Sequence, residues 1–148
     1  MYDKILVAVD GSEHSDAALR HALELARLSG GQVTAVTVTE PSSMAVPALD
    51  LVAVDTASLF EDLEKAKAET AAQILDHTRK AAGNVAIGAI HLASRQIADG
   101  ILEAAEAAGA SLIVMGSHGR RGLSRLLLGS QAAEVLARSK LPVLVVKA

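Results

Sequence analysis

Five short aliphatic runs, separated by longer stretches of helical period, constrain this chain more than any other feature. The runs are "KILVAV" (4–9), "QVTAVTV" (32–38), "VAIGAIHL" (85–92), "SLIVMG" (111–116) and "PVLVVK" (142–147). They are rich in Val and Ile, too short for helices and bounded by turn residues, so they read as buried strands. Between the first two, residues 15–30 place Ala18, Leu19, Ala22, Leu25 and Ala26 at helical spacing. Ser12 or Ser15 can cap that helix and Gly30-Gly31 stops it. Further helices are predicted over about 58–82, 96–109 and 130–139. Strands that are apolar throughout and alternate with helices call for a parallel sheet covered on both faces. Right-handed crossovers leave few topologies. The expectation is one α/β domain over residues 1–148, an open five-stranded parallel sheet in the order 3-2-1-4-5. Its switch point lies between strands one and four, and ligands of such sheets bind at the carboxyl ends of the strands that flank it. The turn after strand one carries Asp10 and the turn after strand four is glycine-rich, so both face one crevice.

Composition excludes several functions. With one Phe, one Tyr and no Trp, the chain lacks the stacking platforms of single-strand nucleic-acid binders. Its net charge of −3 is not the basic footprint of a nucleic-acid protein. Cysteine is absent, which removes disulfides, thiolate catalysis and thiolate metal sites. Asp3 and Lys4 precede a first apolar run too short for a signal peptide, and no apolar stretch reaches membrane-spanning length. The expected location is the cytoplasm. No two histidines stand four apart as in a helical metal site, so no protein-built metal centre is expected.

The loop after strand four, "MGSHGRRGLSRLLLGSQ" (115–131), combines Gly116, Gly119 and Gly122 with Gly129-Ser130 at the start of a helix. Glycine allows close backbone approach to a phosphate, and a helix N-terminus offers N–H donors and a positive dipole end. Ser130 can cap that helix or donate to a phosphate oxygen. Asp10 can accept from ribose hydroxyls or an adenine amine, help to hold Mg2+, or shape its own turn. Arg120, Arg121 and Arg125 can screen a triphosphate or form a solvated face. His14 and His118 sit in the two crevice turns, His118 as a loop-shaping or ligand-contacting residue rather than a catalytic base. GxxxxGK[ST], GxGxxG and GxSxG motifs are all missing.

Gly116-x-x-Gly119, nine residues, then Gly129-Ser130 resembles the G-2x-G-9x-G-[ST] pattern of the ATP-binding universal stress proteins. "VMGSHGR" (114–120), "VAVDGS" (7–12) and the closing "PVLVVK" look like that family too, so the resemblance spans the chain. It implies a Rossmann-like fold related to the adenine nucleotide alpha hydrolases. It also implies bound ATP with Mg2+. Ala8, Val9 and Asp10 then line the adenosine side, Val38 contacts adenine, and Met115 and Gly116 lie at the ribose. His118, Gly119, Arg120, Gly129, Ser130 and Gln131 surround the phosphates. Two positions depart from the pattern. Gln131 stands where a small apolar residue is usual, and can crowd the phosphates or add a hydrogen bond. Ser111 replaces a frequent Asp before strand four. The resemblance further implies a homodimer through strand five, and an uncovered apolar edge strand argues for the same pairing. Residues Pro41 to Ala57 are long for a connection, and are either a mobile surface loop or a lid or partner surface beside the nucleotide.

The expected function is an ATP-binding stress or signalling module. The alternatives are a slow ATPase, with catalytic residues unassigned, and an AMP- or cyclic-AMP-binding regulator. A phospho-receiver needs an aspartate at the end of strand three, where the sequence reads His91-Leu92-Ala93-Ser94. A flavin-binding electron-transfer domain lacks its length and its second subunit.

Overall fold

The computed structural model describes residues 1–42, 56–119 and 127–148. Arg120, Arg121, Gly122 and Arg125, and the Pro41–Ala57 expectation apart from its ends, lie outside the described residues. The elements run β1 (Lys4–Ala8), α1 (Glu13–Ser29), β2 (Gln32–Thr39), α2 (Thr56–Ala82), β3 (Ile87–Ala93), α3 (Ile97–Ala107), β4 (Leu112–Gly116), α4 (Ser130–Arg138) and β5 (Val143–Val146). The sheet is parallel in the order β3-β2-β1-β4-β5, as the alternation predicted.

Register explains why the central strands carry no polar alternation. Ile5 lies opposite Val33 and Leu112, and Val7 opposite Ala35 and Val114. Those six pack with α1 and α2 residues on one face. Leu6, Val36, Ile113 and Met115 point the other way, into the core shared with α3 and α4. Successive side chains in a strand face opposite layers, and here both layers are helical, so the interior positions of β1 and β4 are apolar, while β2, next to the edge strand, also carries Thr34 and Thr37. The edge strands differ: β3 and β5 are only partly buried along their lengths. Helices cover an edge strand less completely, so buried apolar strands describe the centre of the sheet and not its margins.

Helix α1 buries Ala17, Ala18, Ala22 and Ala26 with Leu19 and Leu23. Small side chains on that face let its axis lie close to the sheet. Of the two candidate caps, Ser12 takes the role: its side chain accepts from Ser15 N at 3.2 Å. Ser15 turns inward, donating to the Ser12 carbonyl and accepting from Asp10 N. Gly30 ends the helix at φ 66, in the left-handed region that glycine tolerates. The departure Ser111 proves to be a strand-start contact, its hydroxyl donating to the Lys4 carbonyl at 3.0 Å. Among the described residues no helix is long and apolar enough to cross a membrane.

Candidate functional site: the switch-point cleft

Chains leaving β1 and β4 turn to opposite faces of the sheet, and a cleft of about 620 Å3 opens at their carboxyl ends. Ala8, Val9, Asp10, Val38, Met115, Gly116, His118, Gly119, Gly129, Ser130 and Gln131 all line it. The twelfth residue expected there, Arg120, lies outside the described residues.

The two readings of Asp10 prove compatible. Its Oδ1 accepts from Ser12 N at 2.9 Å, which forms the Asx-turn that launches α1. The same carboxylate borders the cleft beside Gly119, where a Cβ would stand 2.7 Å from Oδ2.

Both ends of the loop after β4 are stitched together. Ser117 is buried and its N–H donates to the Val146 carbonyl at 2.8 Å, tying the loop to β5. Its own carbonyl accepts from Gly129 N at 2.7 Å, so Gly129 abuts Ser117 across the loop. Gly129 is itself the N-cap of α4, and Ser130 is the first helical residue, with no side-chain cap bond. The cap role weighed for Ser130 is therefore not taken. Helix geometry leaves the first-turn N–H groups without intrahelical partners, at the positive end of the dipole. Those amides belong to residues 130–132, all on the cleft wall. The Gly129 amide is already engaged and is not among the donors.

Gly116 lines the cleft and also meets a packing limit. A Cβ there would fall 2.8–2.9 Å from the backbone carbon, Cβ and oxygen of His14. A side chain there is opposed by α1, which crosses directly over the end of β4.

The His14 and His118 rings lie 5.3 Å apart at 55°. Their Nδ1 atoms are 3.3 and 3.2 Å from one hydroxyl, Ser117 Oγ. Ala148 N donates to His14 Nδ1 at 3.4 Å, so a neutral His14 carries its proton on Nε2. The pair thus joins the two crevice turns to the chain end beyond β5, which fits the loop-shaping role read for His118.

The far end of the cleft is apolar and comes from residues that the sequence did not single out. Ile97 and Ile101 of α3 and Leu63, Ala66 and Ile74 of α2 join Val38 there. They carry no motif. Only the crossover that lays α2 and α3 beside the end of β2 brings them to the cleft. Helix α2 also grips the chain leaving β2. Lys67 Nζ donates to the Glu40 carbonyl at 2.6 Å, and Ser42 N donates to Glu64 Oε1 at 2.7 Å. Hydrogen bonds from Ser42, with the nearby Lys67 charge, hold the Glu64 carboxyl below its ordinary value. A depressed carboxyl stabilises the fold above the ordinary carboxylate range, and that contribution is lost as pH falls through the depressed value. The protection of the Ser42 amide, the slowing of its exchange relative to a free amide at the same pH, should therefore fall on acidification below the ordinary Glu range. Glu64→Ala, which leaves Ser42 N without that acceptor, should lack this protection at every pH, and a wild-type protection profile without the transition contradicts the assignment.

Gln131 neither fills the cleft centre nor hangs free. Its Oε1 accepts from Ala98 N at 3.1 Å, in the first turn of α3. Gln96, the N-cap of α3, makes no side-chain cap bond, so Gln131 caps that helix from its neighbour. Arg138 reaches Asp99 Oδ1 at 2.6 Å and fastens the same pair of helices further along. Gln131→Val leaves the Ala98 N–H unpaired and should cost about 1 kcal/mol. For a domain of this size that lowers the melting temperature by roughly 2–4 °C. A thermal scan showing no loss would remove the capping role.

The fold and cleft define a Rossmann-like α/β protein with an open crevice at its switch point. The universal stress protein family profile matches residues 1–147, and the chain belongs to that family of stress-response proteins. Universal stress protein MJ0531 of Methanocaldococcus jannaschii is 36% identical over 149 aligned residues, covering 99% of this chain and 83% of that protein. The solved structure of MJ0577, from the same organism, superposes with a TM-score of 0.82 at 28% identity, over 100% of this chain and 97% of that one. The universal stress protein of Archaeoglobus fulgidus, solved in complex with dAMP, gives a TM-score of 0.62 at 28% identity over 97% of each chain.

Proposed function

We propose that this chain binds an adenine nucleotide, ATP with Mg2+, in the switch-point cleft and works as a nucleotide-responsive module of the stress response. The observation that carries the reading is the hydrogen bond from Gly129 N to the Ser117 carbonyl. It sets the first turn of α4 against the loop after β4, on the rim of the cleft that Asp10 borders. Phosphates would meet the amides of residues 130–132, assisted by His118, Gly119 and Arg120. The sugar would lie between Asp10 and Met115-Gly116, with the base over Ala8, Val9 and Val38. The A. fulgidus relative in complex with dAMP supports the class of ligand, and makes AMP the nearest alternative to ATP.

Among the described residues no three His, Asp or Glu side chains gather to hold a metal. Asp10 is the carboxylate bordering the loop end of the cleft, so Mg2+ would arrive with the phosphates and draw at most on that side chain. Its contribution when bound is to neutralise phosphate charge.

Strand β5 is the sheet margin opposite β3. Leu144 on it and Leu136 on the adjacent α4 are exposed. We place the homodimer contact on this edge, where pairing across a two-fold axis would cover it. Light scattering should return twice the chain mass of 15.2 kDa; the single-chain mass would contradict the dimer.

Titrating ATP, AMP and cyclic AMP against the purified protein tests the nucleotide reading. A ligand at a hundred times its Kd stabilises by about 2.7 kcal/mol, a rise in melting temperature of roughly 5–10 °C. No shift and no heat with any of the three at millimolar concentration would defeat it.

A further inference from the structure

Gly100 lies inside α3, where glycine is a poor helix former, and it is buried. Its missing side chain has a specific neighbour. A Cβ there would stand 2.6 and 2.9 Å from the two Cγ atoms of Val38, and 3.3 Å from Ser94 Cβ. The helix rests directly on the end of β2. Neither partner is placed to withdraw. Helix α3 is held from its other side by the Gln131 bond to Ala98 N and the Arg138 pair with Asp99. Val38 is paired in register with Leu92 of β3. The yielding direction is therefore the Val38 side chain, and Val38 lines the cleft.

We propose that Gly100 is a positioning residue that sets the width of the base end of the cleft. Its bare backbone lets the Val38 side chain lie back against α3. That leaves a slot between Val38, Ile101 and Met115 wide enough for a flat heterocycle. A chain with one Phe, one Tyr and no Trp holds a base between aliphatic side chains, so affinity depends on how closely that slot fits. The inference rests on the adenine-nucleotide reading above and deepens it.

Calorimetric titration of the wild type, Gly100→Ala, Val38→Ala and the double variant tests it. Gly100→Ala should weaken binding about tenfold or more, since overpacking by one methyl is felt at such a contact. The loss should be the same for every adenine nucleotide that the wild type binds, because they share the base and differ in phosphates. In the Val38→Ala background, where the methyl has room, adding Gly100→Ala should change affinity by less than about twofold. Wild-type affinity in a folded Gly100→Ala protein overturns the proposal. So does an equal loss in both backgrounds, or a Gly100→Ala chain that does not fold while the double variant does, since the helix and not the slot then absorbs the methyl. A double variant that is itself unfolded overturns it as well. If the wild type binds no adenine nucleotide the reading of the site fails first, whereas equal binding by wild type and Gly100→Ala removes only the role of Gly100.

Discussion

Gly116→Ala is expected to destabilise the protein by about 2 kcal/mol or more, the scale of overpacking a tight core. For a domain of this length the melting temperature should fall by roughly 4–8 °C. The added Cβ would meet backbone and Cβ atoms of His14 at 2.8–2.9 Å, and those atoms have no rotamer by which to escape. Relief requires the first turn of α1 to lift from β4. Such a shift disturbs the Asp10 turn, which Ser12 and Ser15 anchor at that helix end. Nucleotide affinity should therefore fall along with stability. Gly88→Ala is the control: its Cβ would find Thr34 Oγ1 at 3.5 Å, an ordinary contact, on a partly exposed edge strand. Scanning calorimetry of the two variants gives the answer, and a Gly116→Ala protein that melts with the wild type would contradict the packing assignment.

Gly129→Ala should instead act mainly on binding. Its Cβ would lie 2.8 Å from the Ser117 carbonyl oxygen and 3.3 Å from His118 Cα. The bond from Gly129 N to that carbonyl closes the loop, so the methyl pries the N-terminus of α4 away from His118 and Gly119. Charge-assisted hydrogen bonds contribute roughly 1.5–3 kcal/mol each. Misplacing one or two should cost ATP affinity on the order of a hundredfold. AMP, with fewer phosphates, should lose less. Equal losses for ATP and AMP would show that the α4 amides do not face the terminal phosphates.

How far the sequence reveals this arrangement depends on the kind of contact. Strand order, switch point and the approximate limits of the described elements follow from period and alternation, because a sheet buried on both faces is built from predominantly apolar runs. Gly129 lies where the loop spacing puts it, beside Ser117 and His118. One demand on Gly116 carries no sequence signal: that α1 packs against it shows only in the position of His14. Ser130 shows the same limit, since a Gly-Ser pair does not say which residue takes the cap. Gln131 stood out only as a departure from a pattern, and its partner, the Ala98 amide, carries no side-chain signal. The α2 wall, Leu63 through Ile74, was invisible because its residues belong to an ordinary amphipathic helix. Gly100 carries no signal of its own, and only the position of Val38 shows what its missing side chain faces.

These contacts give the cleft a division of labour. The turn of Asp10 and the stitched loop of Ser117 and Gly129 build the polar end. Helices α2 and α3, the latter held by Gln131 and Arg138, build the apolar end. The His14–Ser117–His118 cluster joins the polar end to β5 through Val146 and Ala148.

The most direct test of the central claim is a backbone amide NMR titration of the protein with ATP and Mg2+. The account predicts saturable shifts concentrated at residues 8–10, 38, 115–120 and 129–132, with the β3 amides of Gly88 and Ala89 left in place. Shifts that cluster away from the ends of β1 and β4, or none at millimolar nucleotide, would contradict it.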